Sequence, residues 1–242
     1  MTRPELSFVI PVFNESLTLE RTFSELVPFL EGLERSFEIV CVDDGSRDDS
    51  PRLLAAAAEK DPRIRLFALP ANRGKGAAVR LGVLESQGDH VFFLDADLST
   101  PLEETLPFLA NLESGCDVVL GNRRAPGSKL SRRQPWLRER LGRGFTWLTQ
   151  ALLAPGVHDF TCGFKGFRRE AARSVFERST LDGWAFDAEL VVIAQEQGLK
   201  LAQLPVAWKH EDDTKVRLLA AVTGSLADLV RIFVKRKLGR YR

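Results

Sequence analysis

Two aspartates one residue apart, Asp95 and Asp97, follow a short apolar run from Val91 to Leu94. Hard carboxylate oxygens at that spacing suit a Mg²⁺ or Mn²⁺ ion shared with a diphosphate. An ion held there neutralises charge developing on a departing diphosphate, which is Lewis-acid assistance to a leaving group. Farther on, Gly121-Asn122-Arg123-Arg124 closes another apolar run and offers the Arg123 guanidinium to phosphate oxygens, with a surface ion pair as the alternative. Two more polar clusters end β-type runs: Pro11-Val12-Phe13-Asn14-Glu15 and Asp43-Asp44-Gly45-Ser46. Singly, Asn14 or Ser46 is explained as a helix cap and an Asp-x-Asp as chance. Three such clusters on one rim are not so simply explained.

The glycines near residue 75 test a different chemistry. Gly74-Lys75-Gly76-Ala77-Ala78-Val79 superficially matches a dinucleotide fingerprint, but Val79 stands where the third small residue belongs, and the segment does not follow the first strand. NAD binding is disfavoured, and no GxxxxGK[ST] occurs, which argues against a P-loop NTPase. The segment instead suits a helix amino terminus in close approach to a nucleotide, with Lys75 adding charge.

These residues need a scaffold that brings them to one edge. Apolar, β-branched runs predict strands over 6–12, 38–42, 64–68, 90–94 and 117–120, separated by helical periodicity over 15–34, 50–60 and 76–86. Alternation of this kind predicts an α/β fold with a mainly parallel central sheet flanked by helices. Ligands bind outside the carboxyl ends of strands in such sheets, which is where the polar clusters fall.

The second half departs from this rhythm. From Ser131 to Leu153, large apolar residues recur at helical spacing beside Arg132, Arg133, Arg138, Arg140 and Arg143. This amphipathic segment suits either an anionic membrane surface or ordinary packing against a core. A second helical stripe runs through Leu218, Leu219, Val222, Leu226, Leu229, Val230 and Phe233, and six of the last twelve residues are basic with none acidic. That tail reads as a basic amphipathic helix over 216–242, lying against lipid or complementing its own carboxyl terminus.

Composition bounds the classes. The chain has 242 residues, 44% of them hydrophobic, so a sizeable core is expected. Thirty-four Lys and Arg balance 33 Asp and Glu, leaving no global pull toward nucleic acid. The longest uncharged stretches, 144–157 and 218–227, fall short of the roughly 20 residues a spanning helix needs. No basic n-region with a long apolar run marks the start as a secretion signal. Three cysteines without CxxC spacing suggest neither a disulfide framework nor a zinc site, and a reducing cytoplasm is expected.

The motifs at 11–15, 42–46, 72–76 and 95–97, in that order and spacing, resemble the GT-A fold of family-2 glycosyltransferases. Farther on, Asp159-Phe160-Thr161-Cys162-Gly163-Phe164-Lys165 and Trp184-Ala185-Phe186-Asp187-Ala188-Glu189-Leu190 resemble the polyprenyl-phosphate sugar transferases, most closely the dolichyl-phosphate β-glucosyltransferase branch. The likeness covers roughly residues 5–215 and is expected to define the glycosyltransferase domain, 1–215, including an acceptor-side segment at 130–155.

The resemblance implies that Pro11, Phe13, Glu15, Asp43 and Asp44 surround the nucleoside of a nucleotide-sugar donor. It makes Asp95 and Asp97 the metal ligands, although Ser99 stands where relatives often carry a Gln ligand. Arg123 is expected on the diphosphate, Lys75 beside the nucleotide, and Lys165 near phosphate. Asp159 matches an aspartate proposed as a base or an orienting group; a lipid phosphate is already anionic and needs alignment more than deprotonation. Asp187 tilts toward the donor pocket, though Asp187 and Glu189 equally suit a helix cap, and Trp184 and Phe186 a core. In the segment 208–215, relatives commonly read Gly-Ser-Lys where this chain has Asp213-Thr214-Lys215, so Lys215 alone carries over toward the donor. Arg133 and Arg138 are the expected contacts to the acceptor phosphate.

The expected activity is inverting, metal-dependent transfer of a hexose, glucose from UDP-glucose, to a polyprenyl phosphate at the cytoplasmic membrane face. Attachment is expected to be peripheral or through a separate membrane partner. The rival readings are mannosyl transfer from GDP-mannose, a sugar nucleotidyltransferase that releases pyrophosphate, and a non-catalytic nucleotide-sugar-binding protein.

Overall fold

The computed structural model describes residues 3–128, 136–209 and 218–242. The first half is a succession of βα units: β1 (Leu6–Val12), α1 (Leu19–Gly32), β2 (Phe37–Asp43), α2 (Ser50–Lys60), β3 (Ile64–Ala68), α3 (Lys75–Glu85) and β4 (His90–Phe93). A 3₁₀ turn (Leu102–Glu104) and α4 (Thr105–Glu113) then lead to β5 (Val118–Asn122). The remainder adds α5 (Trp136–Leu152), β6 (Lys165–Arg168), α6 (Arg169–Arg178), α7 (Phe186–Glu196), β7 (Leu201–Pro205) and α8 (Leu218–Lys237).

The strands form one sheet in the order β3-β2-β1-β4-β6-β5-β7. Only β6 runs against its neighbours, pairing antiparallel with both β4 and β5. A sheet buried on both faces needs apolar residues at successive positions, and β2 is buried throughout. Alternate residues of β1 serve the two faces: Phe8, Ile10 and Val12 pack toward α1, whereas Val9 faces α3, α6 and α7. The β1–β4 pair is where the strand order reverses, so the loops after these strands diverge and leave a crevice.

Two features differ from the sequence expectation. Residues 15–18 are not helical, because Asn14 turns the chain at φ +56°. The amides of Asn14, Glu15 and Ser16 then donate to Ser46 Oγ, Ser50 Oγ and Asp48 Oδ2, so this stretch is bound to the β2–α2 loop. Neither Asn14 nor Ser46 caps a helix; they lace two loops together. The strands β6 and β7 were not expected. Four residues reading Lys-Gly-Phe-Arg carry no period-two signal, and β6 takes its conformation from the strands on either side.

The carboxy-terminal residues belong to the body. Leu229, Ile232 and Tyr241 are buried in the same cluster as Val191 and Phe176, while Leu226, Val230, Phe233, Val234 and Leu238 of the same segment are exposed. Among the described residues no helix is long and apolar enough to cross a membrane.

Candidate active site

The post-strand loops converge at the crevice. Phe13, Gly45, Ser46, Arg47, Pro70, Ala71 and Asn72 line a pocket of about 420 Å³ between the loops that follow β1, β2 and β3. Close backbone approach shapes it: a Cβ on Gly45, whose φ is +69°, would lie 2.6 Å from the Asn72 amide nitrogen. Asp43 braces the turn by accepting the Ser46 amide at 3.1 Å. Glu15 accepts the Thr18 hydroxyl at 2.9 Å, and Pro11 lies within β1.

Asp44 is buried and spends its carboxylate on the neighbouring loop, accepting from Asn72 Nδ2 (3.0 Å), Arg73 N (2.8 Å) and Gly74 N (2.8 Å). Burial pushes its carboxyl up against the opposing pull of those amides. Its visible work is to fix the 72–74 backbone as it enters α3.

The acidic pair sits where β4 ends. Arg21 donates to the Asp97 carbonyl (2.7 Å) and Thr22 to the Ala96 carbonyl (2.5 Å), so α1 holds the backbone that carries the two carboxylates. Asp95 is ion-paired with Lys75, and Asp97 accepts the Ser99 amide at 2.9 Å. Burial, and then the charge of Asp95, pushes the Asp97 carboxyl up. A Cβ on Gly163 would collide with the Asp95 carboxylate, so glycine there keeps that side chain in place.

These residues fit a divalent cation. The donors are hard oxygens, and the negative charge crowded on Asp97 is what such an ion relieves. Among the described residues no group of three or more His, Cys, Asp or Glu side chains is arranged to hold a metal.

Beneath this rim lies a second, buried pair. The register of β6 sets Lys165 opposite Phe93, the last residue of β4, and Leu120, in the middle of β5. Its ammonium is fully buried, ion-paired with Asp187, hydrogen-bonded to the Cys162 carbonyl at 2.6 Å and 5.0 Å from the centre of the Phe93 ring. Burial pushes the Asp187 carboxyl up, and the charges of Lys165 and Lys75 oppose that shift. The structure thus pairs two residues expected separately near phosphate and in the donor pocket: the cost of desolvating each charge is met by its partner, within electrostatic reach of Lys75 and Asp95.

Arg123 and Asp159 are likewise brought together. Arg123 donates to the Asp159 carboxylate through its amide (3.0 Å), Nε (2.8 Å) and a terminal guanidinium nitrogen (2.8 Å), the last also reaching Thr161 Oγ1 (2.9 Å). The Trp208 ring lies 5.3 Å from the guanidinium carbon. Burial alone would raise the Asp159 carboxyl; the charge and hydrogen bonds of Arg123 outweigh it and hold the group below the usual carboxylate range. A carboxylate held ionised in this way is a weak base.

A family model for glycosyl transferase family 2 matches residues 7–176. The chain belongs to glycosyl transferase family 2. It is 36% identical to dolichyl-phosphate beta-glucosyltransferase ALG5C of Trichomonas vaginalis, over 96% of this chain and 72% of that protein. It is 32% identical to the dolichyl-phosphate beta-glucosyltransferase of Homo sapiens, over 88% of this chain and 69% of that one. The fold matches the crystal structure of glucosyl-3-phosphoglycerate synthase from Mycobacterium tuberculosis in complex with Mn²⁺, UDP-glucose and phosphoglyceric acid. There the TM-score is 0.71 at 22% identity, covering 95% of this chain and 80% of that one. The fold is GT-A, and the chain is a glycosyltransferase.

Several residues of this family 2 glycosyltransferase escaped sequence reading. Arg21 and Thr22 shape the acidic pair without a motif of their own, since a helix arginine and a helix threonine are locally unremarkable; Gly163 lies in the 159–165 motif, but nothing in the sequence ties it to Asp95. Trp184 is half-exposed with the Lys75 ammonium 5.9 Å from its ring, so it belongs to the site rim, whereas Phe186 is core. Arg133 and Lys215 lie outside the described residues, as does the side chain of Arg138.

Proposed function

We propose that this glycosyltransferase transfers glucose from UDP-glucose to a polyprenyl phosphate, inverting the anomeric centre, at the cytoplasmic face of a membrane. The observation that carries the reading is alignment over nearly the whole chain with proteins named dolichyl-phosphate beta-glucosyltransferases. The loop pocket and the acidic pair on one rim support it.

In this reading the pocket at Phe13 and Asn72 takes the nucleoside, bounded by Pro11, Glu15, Asp43 and Asp44. Lys75 turns toward the diphosphate. Asp95 and Asp97 hold Mg²⁺ or Mn²⁺, which supplies charge neutralisation for the leaving diphosphate. Asp159 holds Arg123 against the diphosphate, while Lys165 and Asp187 support the site from beneath. Lys215 contacts the donor, and Arg133 and Arg138 take the acceptor phosphate.

The reaction is one in-line displacement. An oxygen of the lipid phosphate attacks the anomeric carbon, the bond from that carbon to the UDP oxygen breaks, and its electron pair leaves with UDP. No proton need be removed from an acceptor that is already an anion, which suits an Asp159 used for orientation. The protein attaches peripherally, through its exposed apolar face or a separate membrane partner.

A transfer assay tests the reading: protein, Mn²⁺ or Mg²⁺, polyprenyl phosphate, and radiolabelled UDP-glucose or GDP-mannose in parallel, with label scored in the organic phase. Label from UDP-glucose alone supports it. Label only from GDP-mannose moves the enzyme to mannosyl transfer, and pyrophosphate release points to a nucleotidyltransferase. Binding of either sugar nucleotide without lipid labelling sends the search to another acceptor or to a sensor.

A further inference from the structure

Glu189 of α7 lies away from the acidic pair, yet it is fully buried and accepts hydrogen bonds from two distant parts of the chain. Its Oε2 takes the amides of Thr180 and Leu181, both at 2.8 Å; its Oε1 takes the hydroxyls of Thr180 and Tyr241, both at 2.8 Å. The Lys235 ammonium of α8 lies 3.7 Å from Oε1 and also donates to the Thr180 hydroxyl. Capping does not explain the arrangement, because the amides that Glu189 satisfies lie in the 180–181 loop, outside α7.

That loop is pressed against the start of α3. The Gly76 amide donates to the Asp182 carbonyl at 2.8 Å. A Cβ on Gly74 or Gly76 would come within 2.5 Å of the carbonyl oxygen of Asp182 or Leu181 respectively, so the two backbones touch without side chains between them. The Asp182 carboxylate takes Arg73 at 2.8 Å and Arg80 at 2.5 Å. Arg73 and Gly74 donate onward to Asp44, and Lys75 pairs with Asp95. Direct contacts therefore run from α8 and Tyr241, through Glu189 and the 180–182 loop, to the segment that borders the loop pocket.

We infer that Glu189 is a positioning residue for the donor: through the 180–182 loop it fixes the 72–76 backbone, with Tyr241 and Lys235 holding it in place. The inference rests on the reading that the 72–76 segment faces a nucleoside diphosphate. Rigid placement of that backbone lowers the ordering cost of donor binding. It leaves the acceptor side untouched.

Calorimetric titration with UDP and Mn²⁺, donor kinetics and amide hydrogen exchange of residues 72–80 test it in the full-length protein. Glu189→Ala strands two loop amides; UDP affinity is expected to fall about tenfold, a usual size for coupling between linked sites, with donor KM rising in parallel. Acceptor KM and kcat at saturating donor stay near wild type, and exchange at Gly74 and Gly76 accelerates. Glu189→Gln can keep its oxygen toward the two amides and turn its NH₂ to hydroxyls able to accept, so it restores UDP affinity. Tyr241→Phe removes a single hydroxyl and gives a smaller change in the same direction; this variant decides the matter if Glu189→Ala does not fold. Lower melting temperatures with unchanged UDP affinity and unchanged exchange at 72–80 would overturn the inference. If the wild type fails to bind UDP, the donor reading falls, and the exchange data alone still decide whether Glu189 fixes the loop.

Discussion

Asp159 grips Arg123 through both carboxylate oxygens and also takes the Arg123 amide, so one buried side chain sets the backbone and the guanidinium of the same residue. The grip ties the end of β5 to the segment that leads into β6, strands that also pair through Leu120 and Lys165. A guanidinium held at fixed height, with Trp208 beside it, is pre-organised for an anion.

Asp159→Asn should therefore cost stability as well as turnover. Removing one charge from a buried pair leaves the other uncompensated, a loss of about 3–5 kcal/mol in general, and the retained amide places this substitution near the lower end. The folded-state pKa of Asp159 is depressed, so its contribution is complete above the unfolded value of about 3.9 and fades as pH falls through the folded one. Urea unfolding of both proteins from pH 7 to pH 3 should show a gap that holds to about pH 4 and narrows below it. A gap that widens with acid would mean that Asp159 is not the ionised partner.

The space beside Asp95 makes a second prediction. In Gly163→Ala the new methyl displaces the Asp95 carboxylate, and Mn²⁺ affinity in the presence of UDP should fall roughly 10- to 100-fold, as for losses of support around metal ligands. Gly144→Ala in α5 is the control: an added methyl meets nothing within 4 Å, and the protein should gain up to about 1 kcal/mol with activity unchanged. Equal Mn²⁺ affinity in the wild type and Gly163→Ala would remove Asp95 from the metal site.

Asp97 should show the opposite balance of stability and activity. Its ionised form is penalised by burial and by Asp95, so the folded protein carries an unfavourable charge near neutral pH. Asp97→Ala is expected to abolish metal-dependent turnover while melting no lower than wild type, and to gain roughly 0.5–2 kcal/mol if the site is strained for function. A large fall in melting temperature would instead make Asp97 a structural residue.

The parallel half of the fold was legible because its strands are predominantly apolar runs and each ends in a polar loop; Leu6–Val12 and Ile64–Ala68 stand where the periodicity put them. The same logic brought Phe13, Asp44, Asp95 and Arg123 to one rim. It could not distinguish surface chemistry from buried pairing. Lys165 and Asp187 are polar residues near the right edge, but whether such groups face a ligand or each other depends on the antiparallel strand β6, whose four residues have no pattern of their own. Glu189 was hidden for a related reason: its partners are 8 to 52 residues away along the chain, beyond the reach of helical or strand spacing.

The last prediction concerns the exposed face of α8. Leu226, Val230, Phe233 and Val234 follow one helical stripe, with Leu238 just beyond, while Leu229 and Ile232 on the other side are buried. The basic residues divide in the same way. Lys235 and Arg236 turn inward to Glu189 and Glu196, whereas Lys237 lies over the exposed Phe233 ring. Such a helix suits burial of one face in the lipid interface without crossing it. Cosedimentation with phosphatidylglycerol vesicles should show binding that weakens with added salt, only moderately because part of the charge is spent on the protein itself. Val230→Asp with Phe233→Asp removes two insertable side chains, each worth about 1.5–3 kcal/mol if fully buried, and should lower vesicle affinity at least tenfold. Neither residue is in the core, so the melting temperature should hold. Retained vesicle binding by the double variant would assign the contact elsewhere, and absence of binding by the wild type would require a membrane-resident partner to bring the enzyme to its lipid.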